Sequence, residues 1–110
     1  VVRLEQALGN LLRNALQAAR GQVRVSCRVA PGQVSYCFED DGPGVPEEAG
    51  YRLFEPFFTT KPAGQGTGLG LAVAHAAARE HGGTIQVGRS GALGGARFCL
   101  VLPLGEDGHE

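Results

Sequence analysis

Apolar residues recur every three or four positions in the first part of the chain. From Leu4 to Arg20 this spacing gives one apolar stripe, which predicts an amphipathic helix with Gly21 as its C-cap. A second face of the helix carries the amide side chains of Asn10, Asn14 and Gln17. Asparagine is a poor helix-interior residue because its side chain competes for backbone groups. The amide face therefore fits either a solvated surface or a surface that meets a ligand.

Polar and apolar residues then alternate in two short segments, 22–30 and 33–39. This period of two predicts half-buried strands, and Pro31-Gly32 between them predicts a tight hairpin turn. The turn sets a register in which both apolar faces coincide. That register pairs three sets of residues: Val29 with Val34, Cys27 with Tyr36, and Val25 with Phe38.

The second half of the chain repeats the change from helical to alternating spacing. An alanine-rich helix is predicted from Gly68 to about His81, and strands are predicted at 84–87 and 96–102. Before this helix, a stretch of about twenty residues (46–66) has no regular pattern, and a loop of that length in a small domain is usually functional.

Composition narrows the class of protein. The chain has 110 residues, of which 43% are hydrophobic and 19% charged, with a net charge of −1, as expected for one globular domain. No basic patch stands out, so nucleic acid is not expected as a partner. No apolar run approaches the ~20 residues of a membrane span, and the N-terminus shows no signal-peptide pattern. We expect an excised cytoplasmic domain without direct membrane contact.

Cysteines are odd in number and absent from any CxxC motif: Cys27, Cys37 and Cys99. All three fall in strand-like segments, so reduced structural thiols are expected. In the predicted hairpin register, Cys27 and Cys37 point to opposite faces, which argues against a disulfide between them.

Glycines give the first chemical signal. Of the 18 glycines, four alternate within residues 64–70, immediately before the alanine-rich helix. Glycine at every second position suits a loop whose backbone closely approaches another group. Where such a loop leads into a helix, it presents unpaired N–H groups and the positive end of the helix dipole. The segment therefore predicts an anion site, above all for phosphate.

Polar groups in other segments suit the rest of a nucleotide. Asp40 ends the second strand before a Gly-Pro-Gly turn, and its carboxylate fits either a solvated turn or a hydrogen bond from a ligand amine. Asn10 and Asn14 offer hard oxygen ligands for a metal ion, and Lys61 adds positive charge before the glycine loop. The P-loop motif and the dinucleotide-binding GxGxxG unit are both absent.

Four sequence motifs occur in the order of a known family. They are NLLRNA at 10–15, DDGPG at 40–44, LFEPFF at 53–58 and GTGLGL at 66–71. These motifs resemble the N, G1, F and G2 boxes of the catalytic and ATP-binding domain of sensor histidine kinases, within the GHKL superfamily that includes the gyrase and MutL ATPases. Gln17-Ala18 and the FFTTK run at 57–61 are most similar to the nitrogen-regulation type of sensor kinase.

The resemblance implies a fold and a domain plan. The fold is α+β, a two-layer α/β sandwich of the Bergerat ATP-binding type, with a mixed sheet packed on helices. Residues 1–104 are expected to form an N-terminally truncated ATP-binding catalytic domain, and residues 105–110 a flexible tail. The family usually has a strand before the N-box helix, and because this sequence does not include it, we expect an open sheet edge.

The resemblance also implies ATP and Mg²⁺ as cofactors and a role for each motif residue. Asn14 ligates Mg²⁺, with Asn10 beside it. Asp40 accepts a hydrogen bond from the adenine amino group, while Gly42 and Gly44 let the backbone approach the base. Further residues bind the phosphates or lie beside them: Thr60, Lys61, Gly66, Thr67, Gly68, Leu69 and Gly70. Lys61 reaches the γ-phosphate, and it forms the catalytic set together with the two asparagines.

The amide of Asn10 favours phosphoryl transfer over hydrolysis. Water-activating ATPases of the superfamily carry a glutamate base at this position, and an amide cannot take up a proton at neutral pH. A neutral imidazole needs little deprotonation before it attacks, so we expect transfer to a histidine with slow hydrolysis. The alternatives are a related GHKL ATPase, an anti-sigma-factor serine kinase, and a regulatory module that has lost its nucleotide.

The resemblance finally implies partners and a lid. None of His75, His81 and His109 lies in the helical His-Glu/Asp context of a phosphoacceptor. The acceptor is therefore expected on a histidine-containing dimerisation domain of the same protein, with a response regulator receiver domain as a further partner. The three phenylalanines of the F box are expected to anchor a lid: Phe54, Phe57 and Phe58. Both a membrane-anchored and an unanchored parent protein agree with the sequence.

Overall fold

A computed structural model describes residues 3–46, 52, 54 and 70–104. In chain order, its helices and strands are α1 (Leu4–Ala18), β1 (Val23–Ala30), β2 (Gln33–Asp40), α2 (Gly70–Glu80), β3 (Thr84–Arg89) and β4 (Ala96–Pro103). The strands form one sheet in the order β1-β2-β4-β3, and every pairing is antiparallel. The predicted α+β class is confirmed. A mixed sheet also needs a parallel pair, and the described strands contain none.

The hydrophobic core lies between the sheet and the two helices, which contact each other. Each helix contributes mainly small residues to it: Ala7, Leu11 and Ala15 from α1, and Ala74, Ala77 and Ala78 from α2. The central strands contribute larger side chains, including Phe38 on β2 and the fully buried Leu100 on β4. Burying a side chain of this size contributes roughly 1.5–3 kcal/mol. The two central strands therefore form the rigid base on which the helices pack.

The hairpin of β1 and β2 has the register that the turn predicted. Its Cα partners include Val29 with Val34, Cys27 with Tyr36, and Val25 with Phe38. Gly32 in the turn has a φ of 80°, a conformation that glycine adopts without steric cost. β1 is an edge strand, and Val25 and Val29 on it are 55% and 68% exposed. The apolar face of β1 therefore extends beyond the helix layer.

The first helix ends earlier than its sequence pattern predicts. We expected it to reach Arg20 with Gly21 as C-cap, but it ends at Ala18. The backbone N–H groups of Arg20 and Gly21 instead donate to Oδ1 of Asp41, at 2.7 and 3.1 Å. A carboxylate from the loop after β2 thus turns the chain away from the helix axis.

The second helix ends at its predicted glycine pair. Gly82 has a φ of 78°, and its N–H donates to the carbonyl of Arg79 at 3.1 Å. The N–H of Gly83 donates to the carbonyl of Ala78 at 2.8 Å. This pair of bonds is the Schellman motif, which satisfies the last carbonyls of a helix. The chain can then enter β3 without a longer connection.

The prediction of three reduced thiols is wrong for two of the cysteines. Cys37 and Cys99 form a disulfide between β2 and β4, where they are directly paired with a Cα–Cα distance of 4.1 Å. Cys27 is exposed and free, so the exclusion of a Cys27–Cys37 bond is confirmed. The disulfide joins residues separated by 62 positions in sequence, on strands whose pairing no local pattern reveals.

Several predictions lie outside the described residues. These are the 105–110 tail, most of the 46–66 loop, and the glycine loop up to its last member, Gly70. Among the described residues, neither helix is long and apolar enough to cross a membrane.

Candidate functional site

Asp40 ends β2 on the face of the sheet that meets the helices, and it is completely buried. Its Oδ1 atom accepts hydrogen bonds from the backbone N–H of Gly42, at 2.9 Å, and of Ala96, at 3.2 Å. Its Oδ2 atom is also buried but has no partner, and among the described residues it is the only such side-chain atom. An unpaired buried carboxylate oxygen is costly, so a ligand with an N–H group can supply the missing bond.

Glycines allow the backbone to pack closely around this carboxylate. A Cβ atom on Gly42 would overlap the carbonyl oxygen of Ala18, and one on Gly95 would overlap both Oδ1 and the carbonyl oxygen of Asp40. Gly44 has a φ of 83°, which favours glycine for a different reason. The end of α1 and the start of β4 therefore touch the turn after β2, and they fix where the carboxylate lies.

Asp41 has the opposite environment. Its carboxylate lies at the surface, where the backbone N–H of Gly21, with those of Gln22 and Arg20, stabilises the ionised form and lowers the pKa of Asp41 below its usual value of 3.8. Its Oδ1 atom is occupied by the chain that leaves α1. Asp41 therefore holds the end of the helix, whereas Asp40 has one buried oxygen without a partner.

The amide face of α1 meets the start of α2 at Asn10. Asn10 and Asn14 are half-buried. A Cβ on Gly70, the first residue of α2, would lie 4.0 Å from Cβ and Cγ of Asn10. Arg13 donates from Nη2 to Oδ1 of Asn10. The N box thus meets the end of the G2 box at Asn10, and this part of the amide face is not simply a solvated surface, whereas Gln17 is exposed.

Phe54 from the F box packs into the core. It is 9% exposed, and its ring stacks on that of His75 in α2, with centroids 4.6 Å apart and planes 18° apart. This contact agrees with the predicted anchoring role of Phe54. His75 was expected at the helix surface, but it is half-buried because Phe54 covers one side of its ring.

Two groups of predicted site residues meet α1 at different heights along its axis. Asp40, Gly42 and Gly44 lie where Gly42 meets Ala18, whereas Gly70 meets Asn10. The two contact points, at Asn10 and Ala18, are eight residues apart in the helix, which corresponds to a rise of about 12 Å along its axis. That span is comparable to the length of a nucleoside diphosphate from base to terminal phosphate.

The remaining predicted site residues lie outside the part of the chain that is described: Thr60, Lys61, Gly66, Thr67, Gly68 and Leu69. Their roles stay predictions. The described residues also contain no cluster of three or more His, Cys, Asp or Glu side chains able to hold a metal ion.

Sequence reasoning missed the part of the site that lies behind Asp40. Ala96 and Gly95 at the start of β4 bind its side chain and backbone, and Ser90 in the preceding turn bonds Glu39. The Gly94-Gly95 pair indicates close backbone approach, and the contact of this segment with Asp40 could have been predicted from it. The burial of Glu39 could not be predicted from neighbouring residues, because it alternates with Phe38 and so lies on the face expected to be solvated.

Comparison with known proteins gives a consistent result. A family described as histidine kinase-, DNA gyrase B-, and HSP90-like ATPase matches residues 1–106. The sensor histidine kinase GtrS of Pseudomonas aeruginosa is 43% identical over 100 residues, which cover 91% of this chain and 21% of that protein. CpxA of Escherichia coli K12, a sensor histidine kinase, is 39% identical over 105 residues, with 92% and 23% covered. The chain thus spans about a fifth of the length of these relatives.

Solved structures show the same fold. The nucleotide-free catalytic domain of the histidine kinase ThkA superposes with a TM-score of 0.78 at 34% identity, covering 91% of this chain and 66% of that one. Full-length ShkA in complex with AMPPNP gives a TM-score of 0.77 at 35% identity, covering 91% of this chain and 21% of that one.

Proposed function

Because the chain belongs to the histidine kinase-, DNA gyrase B-, and HSP90-like ATPase family, we propose that it binds ATP with Mg²⁺ and presents the γ-phosphoryl group to a histidine. The kinase branch is favoured because the relatives described above are sensor histidine kinases. The observation that carries the proposal is the buried Asp40 carboxylate, which has one oxygen fixed and the other without a partner.

The Asp40 turn is suited to bind the adenine base. Oδ2 is an acceptor without a donor, and the exocyclic amine of adenine is a donor of matching polarity. The fixed Oδ1 atom prevents the carboxylate from rotating toward another partner. The carbonyl oxygen of Ala18 fills the space of a Gly42 side chain. A Cβ atom on Gly44 would meet only the carbonyl carbon of Gly95, at 4.0 Å, so a flat base has room to approach the backbone there.

The amide face of α1 is suited to hold the metal and the phosphates. Asn14 is half-buried, and its amide oxygen is a hard ligand of the kind that Mg²⁺ accepts. Mg²⁺ commonly uses one or two protein ligands and takes the rest from phosphates and water. When bound, it neutralises charge on the phosphates. The N–H groups of residues 66–70, with Thr60 and Lys61, complete the proposed phosphate site.

Asn10 cannot act as a general base for the group that attacks the phosphate. Its amide cannot accept a proton, and its oxygen already accepts a bond from Arg13. Catalysis then depends on position and charge neutralisation, which suits a neutral imidazole better than water. The histidine would come from a dimerisation domain of the same protein, and a response regulator receiver domain would take the phosphoryl group next.

Binding of Mg-ADP, measured by isothermal titration calorimetry, tests the proposal. Asp40→Asn should weaken binding by about 10- to 100-fold, because it replaces a charged acceptor worth roughly 1.5–3 kcal/mol. Glu5→Gln, a change to an exposed carboxylate on α1, is the matched control and should leave the affinity unchanged. Equal affinity of Asp40→Asn and the wild-type chain would refute this role of Asp40.

The transfer step needs its own measurement. With radiolabelled ATP and the dimerisation domain added, the label should appear on that domain as acid-labile, base-stable phosphate, which is typical of phosphohistidine. Acid-stable phosphate would instead indicate a serine kinase, and free phosphate alone would indicate an ATPase.

A further inference from the structure

A buried polar pair lies behind the proposed base site. The hydroxyl of Ser90 donates to Oε1 of Glu39 at 2.7 Å, and the two residues are 1% and 8% exposed. The N–H of Leu93 donates to Oγ of the same serine at 2.9 Å. Burying a carboxylate is costly unless it is hydrogen-bonded, and the residues that the proposed mechanism uses do not explain this pair.

The pair is connected to Asp40 by a short series of backbone bonds. The N–H of Ser90 donates to the carbonyl of Gly95 at 2.8 Å, and the N–H of Gly95 donates to the carbonyl of Asp40 at 3.0 Å. The next N–H, that of Ala96, donates to Oδ1 of Asp40. The turn that Ser90 organises therefore leads directly into Ala96, the first residue of β4, which is one of the two donors to Oδ1.

The turn holds the end of β2 from both faces of the sheet. Glu39 and Asp40 are consecutive in a strand, so their side chains point to opposite faces. Ser90 binds Glu39 on the outer face, while Ala96 binds Asp40 on the helix-facing side. Gly95 lies between them without room for a Cβ atom. A shift of the turn would therefore change the orientation of the Asp40 carboxylate.

We propose that Glu39 and Ser90 are positioning residues for base recognition, which fix the Asp40 carboxylate so that Oδ1 stays on its two N–H donors and Oδ2 faces the amine of adenine. This inference rests on the proposed function. The chemistry recognised is an amino group on the purine ring. A purine with a carbonyl at that position, as in inosine nucleotides, places one acceptor against another and is disfavoured.

The preference of the protein for an adenine over an inosine nucleotide shows whether Glu39 and Ser90 position Asp40 or only support the fold. The experiment measures the dissociation constants of Mg-ADP and Mg-IDP for the same protein and takes their ratio. A loss of fold or of phosphate contacts weakens both ligands equally and leaves the ratio unchanged. A misplaced Asp40 carboxylate weakens ADP more than IDP.

Ser90→Ala should reduce the ADP preference at least about fivefold, because it removes the only hydroxyl donor to a buried carboxylate in this network. Ser90→Thr keeps the hydroxyl and should retain most of the preference. Ser26→Ala, a change to an exposed serine on β1, is the matched control and should not alter it. If Ser90→Ala does not fold, Glu39→Gln serves the same purpose, since its neutral oxygen accepts a weaker bond.

The outcomes distinguish the two proposals. If Asp40→Asn abolishes the preference while Ser90→Ala and Glu39→Gln leave it intact, positioning by this pair is wrong and the proposed function stands. If the wild-type chain shows no preference, or Asp40→Asn does not change it, the proposed role of Asp40 in base recognition is wrong.

Discussion

Single residues in this domain differ in function according to which backbone groups surround them. Asp40 and Asp41 are adjacent acids, yet Asp40 is completely buried and Asp41 is only half-buried. Backbone N–H groups bind Oδ1 in both cases. Only Asp40 keeps a buried oxygen without a donor. The different roles of Asp40 and Asp41 therefore depend on the surroundings of the second carboxylate oxygen and not on the type of side chain.

Asn10→Glu tests at the same scale why the chain should favour transfer over hydrolysis. The glutamate would add a group that can take a proton from water, so ATP hydrolysis should rise about 10- to 100-fold. Phosphorylation of a supplied histidine should not rise with it. A coupled phosphate-release assay measures hydrolysis, and acid-labile label measures transfer. If the rates of hydrolysis and of transfer were both unchanged, the assigned role of Asn10 would be contradicted.

Elements in this fold begin and end partly at contacts that come from elsewhere in the chain. α1 ends at Ala18 because Asp41, twenty or more residues away, accepts the N–H groups of Arg20 and Gly21. α2 ends at its own glycines. The first end depends on an ionised carboxylate, so it responds to pH, whereas the second is held by backbone hydrogen bonds.

Asp41→Asn should lower the free energy of unfolding at neutral pH, and the difference from wild type should shrink in acid. The pKa of Asp41 is lowered in the folded protein, chiefly by the N–H of Gly21. A lowered pKa means stabilisation that is present above the unfolded value of 3.8 and is lost as pH falls through the folded value. Urea unfolding of both proteins between pH 3 and 7 should show the two curves converging at the acidic end. A constant difference across that range would contradict this role.

Strand register and helix ends could be predicted from the sequence where they depend on residues that are close together in the chain. The β1–β2 register followed from the Pro31-Gly32 turn, and the end of α2 followed from Gly82-Gly83. The carboxylate at Asp40 was identified from its position before a Gly-Pro-Gly turn. Its free oxygen was not predictable, because the donors to the other oxygen come from Gly42 and from Ala96, more than fifty residues further on.

Contacts between distant segments account for the errors. The Cys37–Cys99 bond requires β2 to lie beside β4, and nothing in either strand specifies that neighbour. The Glu39–Ser90 bond depends on the same pairing of strands and spans 51 residues. The assignment to the nitrogen-regulation subgroup stays a prediction, since the family match and the relatives described above do not distinguish subgroups.

The whole molecule is organised around its two central strands. β2 carries Asp40 at its end, β4 supplies Ala96 beside it, and the disulfide joins the same two strands three residues from each. Arg97 covers this bond, with Nη2 3.5 Å from Sγ of Cys37. Both helices pack on the opposite face. Stability of the sheet and geometry of the proposed base site therefore depend on one strand pair.

Reduction of the disulfide should lower the free energy of unfolding by about 2–4 kcal/mol. The bond closes a loop of 62 residues, for which the chain-entropy relation gives about 4 kcal/mol as an upper figure. Guanidinium unfolding with and without a dithiol reductant measures the change, after intact mass has shown the oxidised form. Cys99→Ser should be insensitive to the reductant, and Cys27→Ser should behave as wild type. Equal stability of the oxidised and reduced wild-type chain would contradict this contribution.

The most direct measurement is a crystal structure of this chain with Mg-ADP. The amino nitrogen of adenine should lie about 2.7–3.2 Å from Oδ2 of Asp40, while Oδ1 keeps its bonds to Gly42 and Ala96. An adenine bound elsewhere, or one whose amine meets another group while Oδ2 stays without a partner, would contradict the proposed site.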